Sequence, residues 1–448
     1  MKKLFFHTLA FVFLVCCSVC LFSCHKDKPA PGSDLADYTV IIYGSVGGEM
    51  DYSMEDIWKE TQTKLPDKKV RVLAVYKYGA DGEHFSGKYG APGEVVAFEL
   101  DKDTDFGKIH TEGADTKQYK LYDPENIKAI LNRAKKELPA RDYILALYGH
   151  ANGFNAQTDY PKQDDWSTRG VLPDELLNSQ RINMYELSTG ISMSEIAHLK
   201  AILFHNCLMG GMESLMQVAP CAEYLFATPF MLTSENCPLI PTLVQELHEE
   251  ADFEVAARST LIESEERLYD GYVKEGVPYN GSMGLIKSEE LEAVCSATRE
   301  LATRLCELYP AKKEAIDKAT CSAYQFCNEY PYFDLMDYAR KLAAETGDLR
   351  LSSACERMEE AFERAVLQQV IIYLGVLPIL PAFSLSVVLV DHDRYQSQSS
   401  KGDFTYRASY ELTAFHQLTG WGNWLDTNKC TPVGNPFGQG EGEAPQGQ

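Results

Sequence analysis

Two short segments combine a nucleophilic and an acid–base side chain at points where a folded chain would expose them. The apolar run Tyr143–Tyr148 ends in Gly149-His150-Ala151-Asn152-Gly153-Phe154, and the run Ala201–Phe204 ends in His205-Asn206-Cys207-Leu208-Met209-Gly210-Gly211. Continuous apolar runs of this length are typical of strands buried on both faces of a parallel sheet. Open parallel sheets bind ligands beyond the carboxyl ends of their strands, so His150 and Cys207 would face one cleft. A thiol with an ordinary pKa of about 8.5 needs positive charge or a base beside it to react near neutrality. An imidazole supplies that base and can protonate a leaving amine. Backbone N–H groups in the turns that follow can hold an oxyanion. Each residue also has a bland reading. A lone histidine after a strand commonly serves a turn, and a lone cysteine in apolar company commonly belongs to the core. On the residues alone the two readings stand level.

Competing chemistries leave less trace. The turn Gly44–Gly48 lacks the Gly-Lys-Ser/Thr ending of a phosphate-binding loop, and His248-Glu249-Glu250 has no second histidine at the zincin spacing. No G-x-S-x-G elbow occurs. No cysteine pair has CxxC or zinc-like spacing, so neither a metal site nor a cofactor is expected. The chain of 448 residues carries a net charge of −23, and a surface that acidic repels phosphate backbones. Nucleic acid is excluded as a general partner.

The elements that must hold these residues alternate between strand and helix. Tyr38–Tyr43, Val70–Tyr76, Val95–Phe98 and Tyr224–Ala227 read as further strands, Met54–Lys64 as a helix, and Asp123-Pro-Glu-Asn126 as the start of a helix through Leu138. That rhythm predicts a parallel α/β layer sandwich. Past residue 250 helices are expected at 253–270, 288–308, 333–345 and 349–367, with a late strand, Leu385–Val390, rejoining the sheet. Residues 155–181 are polar without a clear period and read as a long loop, a length that is usually functional or mobile. The tail 431–448 is rich in Gly, Pro and Gln and is expected to be disordered. No internal repeat is found.

The amino terminus reads as a targeting segment. Lys2 and Lys3 precede an apolar run from Leu4 to Phe22 that stops at Ser23-Cys24. The stretch resembles a bacterial lipoprotein signal, which implies cleavage before Cys24, lipidation of that cysteine, and export to the cell envelope, with the outer membrane as destination. Residues 1–23 are then the signal and 24–36 a polar tether. Diacyl attachment supplies the second chain that stable anchoring needs. Of thirteen cysteines, nine lie beyond Cys24, an odd number for an exported chain.

The two chemical segments resemble those of the clostripain family of cysteine endopeptidases. Tyr143–Phe154 is similar to its strand plus histidine motif and Ala201–Gly211 to its strand plus nucleophile motif, with Cys-Leu-Met-Gly the most specific part. Val40–Tyr43 resembles the family's opening strand, Ile191–Leu199 the helix before its nucleophile strand, and Tyr332–Tyr338 and Leu418–Leu425 its C-terminal segments, so the likeness spans roughly residues 38–426. It implies a caspase-like α/β/α sandwich with a mostly parallel central sheet, a catalytic core over 37–250 and a helix-rich part over 251–430. It also implies His150 as catalytic histidine, Cys207 as nucleophile, the N–H groups of Ala151 and Cys207 as oxyanion donors, and a protein or peptide substrate. Two positions depart from the pattern. Ala151 stands where the family usually has glycine, and His205 stands where many members have an aspartate that holds a basic P1 side chain. An unpaired cation in a desolvated pocket is costly, so an uncharged P1 residue is expected. Some relatives cut themselves between the histidine and the nucleophile; weak or no cutting is expected here at Lys162, Arg169 or Arg181, although an acid such as Glu235 would change that. The alternative function is a weakly active or inactive member serving as a lipid-anchored binding protein.

Overall fold

The apolar runs pair as strands because each is buried on both sides and its backbone must find partners away from water. In the computed structural model, residues 35–45, 51–79, 93–109, 119–154, 171–174, 180–232, 238–276, 279–327, 330–374, 383, 385–398 and 405–432 are described. The signal, all of the tether before residue 35 with Cys24, residues 155–170 with Lys162 and Arg169, Glu235 and nearly all of the tail lie outside them. Strand β1 (Ala36–Ser45) pairs in parallel with β2 (Val70–Lys77) on one side and β4 (Ala140–Gly149) on the other. Strand β7 (Leu199–His205) adds in parallel to β4, and β8 (Ala222–Ala227) to β7. Three antiparallel strands complete the sheet: β3 (Val95–Leu100) beside β2, then β9 (Tyr279–Lys287) and β11 (Val366–Leu374) beyond β8. The spatial order is β11-β9-β8-β7-β4-β1-β2-β3.

Successive residues of a strand face opposite ways, and both faces are covered. Ile41, Tyr43, Leu145, Leu147, Ile202 and Phe204 pack with helices α2 (Pro124–Glu137), α3 (Met184–Met193), α4 (Met212–Val218) and α7 (Leu291–Ser322). Val40, Ile42, Ile144, Ala146, Ala201 and Leu203 pack with α1 (Asp51–Thr63), α5 (Leu239–Glu249) and α6 (Phe253–Glu275). The fold is the expected mostly parallel sheet between helical layers.

Several boundaries differ from expectation, each for a local reason. Glycines 281 and 284 dilute the apolar pattern of β9, and Gln368 and Gln369 dilute that of β11, so neither strand is evident in the sequence. With β9 and β11 occupying the sheet beyond β8, the late run does not rejoin it. Its core, β12 (Ser386–Val388), pairs instead with β10 (Tyr332–Asp334) in a separate two-stranded sheet. Helix α9 (Leu349–Ala365) stops short of residue 367 because β11 begins there, and α8 spans Leu335–Thr346. Helix α7 runs well past residue 308, and its non-helical Lys312 follows Pro310, whose ring removes a backbone donor. The helix before the nucleophile strand is α3 and not 191–199. Asn183 and Glu186 close a capping box at its start. Part of the stretch read as a loop is ordered too: β5 (Val171–Asp174) and β6 (Gln180–Ile182) pair antiparallel.

Candidate active site

Register alone brings the two chemical residues together. β4 and β7 are adjacent and parallel, with Tyr148 opposite His205. His150 and Cys207 each follow two residues later. Neighbouring strands lie about 4.8 Å apart, so the two residues leave adjacent strand ends at the same level.

The loops that carry them are locked to each other by close backbone approaches. Gly149 has φ +150°, and a Cβ there would lie 2.0 Å from the Ser45 carbonyl oxygen, so glycine alone fits. The Asn206 side-chain amide donates to the Gly149 carbonyl at 2.6 Å, joining the residue before the cysteine to the residue before the histidine. Leu172 of β5 donates its N–H to the His150 carbonyl at 2.9 Å. Gly153 has φ +60°, and a Cβ there would meet the Leu208 carbonyl at 2.5 Å. The Tyr332 hydroxyl donates to the neighbouring Asn152 carbonyl at 2.6 Å. Leu208 itself has φ +59°, a left-handed conformation uncommon outside glycine. Its N–H is held by the Phe230 carbonyl at 2.9 Å, and that of Gly210 by the Thr228 carbonyl at 2.7 Å.

The electrostatics describe a thiol at rest. Cys207 is buried, and its sulfur accepts from the Leu232 N–H at 3.3 Å and donates to the Leu232 carbonyl at 3.4 Å. Donation to that carbonyl is open only to the protonated thiol. Burial pushes the Cys207 pKa up, against the smaller opposing pulls of the Leu232 hydrogen bond and the Arg181 charge. His150 keeps open surface, yet the protein around it displaces enough water to push its pKa down, and the Arg181 guanidinium pushes the same way. The neutral forms of both groups are therefore favoured. Arg181, half-buried on β6, counts in the sequence only as a basic residue of a polar stretch. The capping box at Asn183 was the available signal, because it fixes the start of α3 and so sets Arg181 just before it.

The chain matches the family model described as the clostripain family over residues 49–400. It belongs to that family of cysteine peptidases. Among solved structures it is similar to an inactive zymogen C11 protease from Parabacteroides distasonis, at 17% identity and TM-score 0.59, covering 87% of this chain and 99% of that one. It is also similar to a secreted C11 cysteine protease from Bacteroides thetaiotaomicron in complex with an irreversible peptide inhibitor, at 17% identity and TM-score 0.61, covering 87% of this chain and 100% of that one. Identities this low speak for the fold. No curated protein matches the chain.

The two departures from the clostripain-family pattern have different surroundings. Ala151 is not among the residues with positive φ, so its Cβ brings no left-handed strain. His205 is buried, with its ring edge-on to Tyr148 at 4.8 Å. Leu232, which holds the thiol, also lines a small apolar depression with Leu239, Leu261, Leu268, Met283 and Ile372, with Glu265 alongside. Glu213, behind the nucleophile loop, is a functional-site neighbour that no sequence motif marks. Its carboxyl accepts from the Tyr410 hydroxyl at 2.6 Å and the Val388 N–H at 3.0 Å, and burial pushes its pKa up to about 7.

Proposed function

We propose that this clostripain-family chain is a lipid-anchored endopeptidase of the cell envelope that works through Cys207 and His150. The observation that carries the reading is the β4–β7 register, which sets the two residues level at adjacent strand ends. His150 takes the thiol proton as Cys207 sulfur attacks the scissile carbonyl carbon. The N–H groups of Ala151 and Cys207 hold the developing oxyanion. The imidazolium then gives its proton to the leaving amine, leaving a thioester. Water attacks the thioester with His150 as base, releasing the new carboxylic acid and restoring the thiol. Cys24 carries the anchor, and an uncharged P1 side chain is preferred because His205 replaces the acid of the family pattern.

A latent state is the second reading, and the Leu232 clamp on the sulfur favours it. In that reading the 231–232 backbone must release Cys207 before turnover. A peptidyl acyloxymethylketone probe with an uncharged P1 residue tests both. Labelling that vanishes in Cys207→Ala and falls by roughly 10²–10⁴ in rate in His150→Ala supports the dyad. Undiminished labelling or turnover in Cys207→Ala would eliminate it, and absent labelling of the intact protein would favour latency. For the anchor, Cys24→Ser should lose metabolic palmitate labelling and membrane partition; persistent labelling refutes the lipidation.

A further inference from the structure

Cys321 and Cys430 lie 109 residues apart in the chain, and their sulfurs touch at 2.7 Å. Cys321 is in the last turn of α7, and Cys430 follows α13 (Trp421–Thr427). Contacts other than the sulfur pair hold the Cys430 segment in place. The Cys430 N–H donates to the Asn428 side-chain carbonyl at 3.0 Å, and the Lys429 N–H donates to the Tyr309 hydroxyl at 3.0 Å. The Thr431 hydroxyl donates to the Asp391 carboxylate at 2.6 Å. Both cysteines are half-buried, which keeps them within reach of a small oxidant. Cys306, the other cysteine of α7 near α13, is about four helical turns from Cys321, too far to replace it.

We propose that Cys321 and Cys430 form a disulfide that clasps the carboxyl-terminal segment onto α7. The proposal rests on the export reading only for its compartment, since disulfides persist where the surroundings oxidise. The oxidant is a small-molecule disulfide or a thiol–disulfide oxidoreductase. The thiolate of one cysteine attacks the oxidant's disulfide, forming a mixed disulfide and releasing one thiol. The thiolate of the second cysteine then attacks the protein-side sulfur of that mixed disulfide and expels the other thiol. Two protein thiols are oxidised and one disulfide is reduced. Burial and the neighbouring Cys321 push the Cys430 thiol up to about 12, which slows the reaction without a catalyst. The clasp bears on the active site through the segment it holds. Tyr410 and Val388 of that segment bond Glu213, and the Ser386 N–H bonds the Gly210 carbonyl of the nucleophile loop at 2.8 Å.

The test treats the purified full chain with oxidised glutathione, alkylates it without reduction, and maps its peptides by mass spectrometry. The expected result is one linked peptide pair containing Cys321 and Cys430 that separates on reduction, with Cys207 alkylated alone. Reduction should lower Tm by about 5 °C in the wild type and leave Cys321→Ser and Cys430→Ser unmoved. Alkylation of both cysteines after oxidation, a linkage of either to another cysteine, or an equal Tm response in the variants overturns the clasp. Protein taken from cells with both thiols reduced, alongside linkage in glutathione, overturns the export reading and leaves the pairing standing.

Discussion

Arg181 bears on His150 and Cys207 in opposite chemical senses: its charge favours the Cys207 thiolate and disfavours the His150 imidazolium. Removing it with Arg181→Gln should let the His150 pKa climb back toward about 6.5. A dyad that needs neutral imidazole would then lose activity at a higher pH on acidification. The acid limb of the kcat/KM profile, or of probe inactivation, should shift upward relative to wild type. Superimposable profiles would show that the charge does not reach the imidazole. At this scale the sequence singled out His150 and Cys207 by type and by their places after apolar runs. Arg181 stood out only as a possible cleavage point, and Leu232 not at all. One depends on a three-residue strand and the other on a backbone contact, and neither has a compositional mark.

Between elements, the site depends on Gly149 at the end of β4 and Gly153 in the loop that follows. A Gly153→Ala change adds a Cβ that meets the Leu208 carbonyl at 2.5 Å in a left-handed backbone. It should cost roughly 1–3 kcal/mol in urea unfolding and depress kcat together with stability. Gly271→Ala is its counterpart. About one turn before the end of α6, with nothing within 4 Å of the added atom, it should stabilise by up to about 1 kcal/mol and leave kcat alone. Equal effects from the two would mean that the loop contact at Gly153 is unimportant. The strands legible in the sequence were those with dense apolar runs: β1, β2, β3, β4, β7 and β8. Those hidden were β9 and β11, diluted by glycine or glutamine, and the short β5–β6 hairpin. The late strand was visible as a strand, but its partner was not, because the pairing of a short strand is decided by which sheet edge remains open.

At the scale of the whole molecule, Glu213 links the nucleophile loop to the carboxyl-terminal segment and makes stability pH-dependent. Its folded pKa of about 7 exceeds its ordinary 4.5, so the folded state keeps a proton that the unfolded chain releases. The stabilisation is complete below the unfolded value and is lost as pH rises through about 7. Glu213→Gln can still accept from Tyr410 and Val388 and never ionises. Its Tm should therefore exceed that of wild type above neutrality and converge with it in acid; parallel curves would refute this. The strand order has one more consequence. Every strand before His150 lies on one side of the β4–β7 seam, and the main-sheet strands after it lie on the other. A polypeptide nicked between His150 and Cys207 would thus become a two-subunit particle, one subunit bearing His150 and the other Cys207. Expressed as separate halves, they should regain activity with second-order kinetics, and dilution should favour their dissociation by mass action.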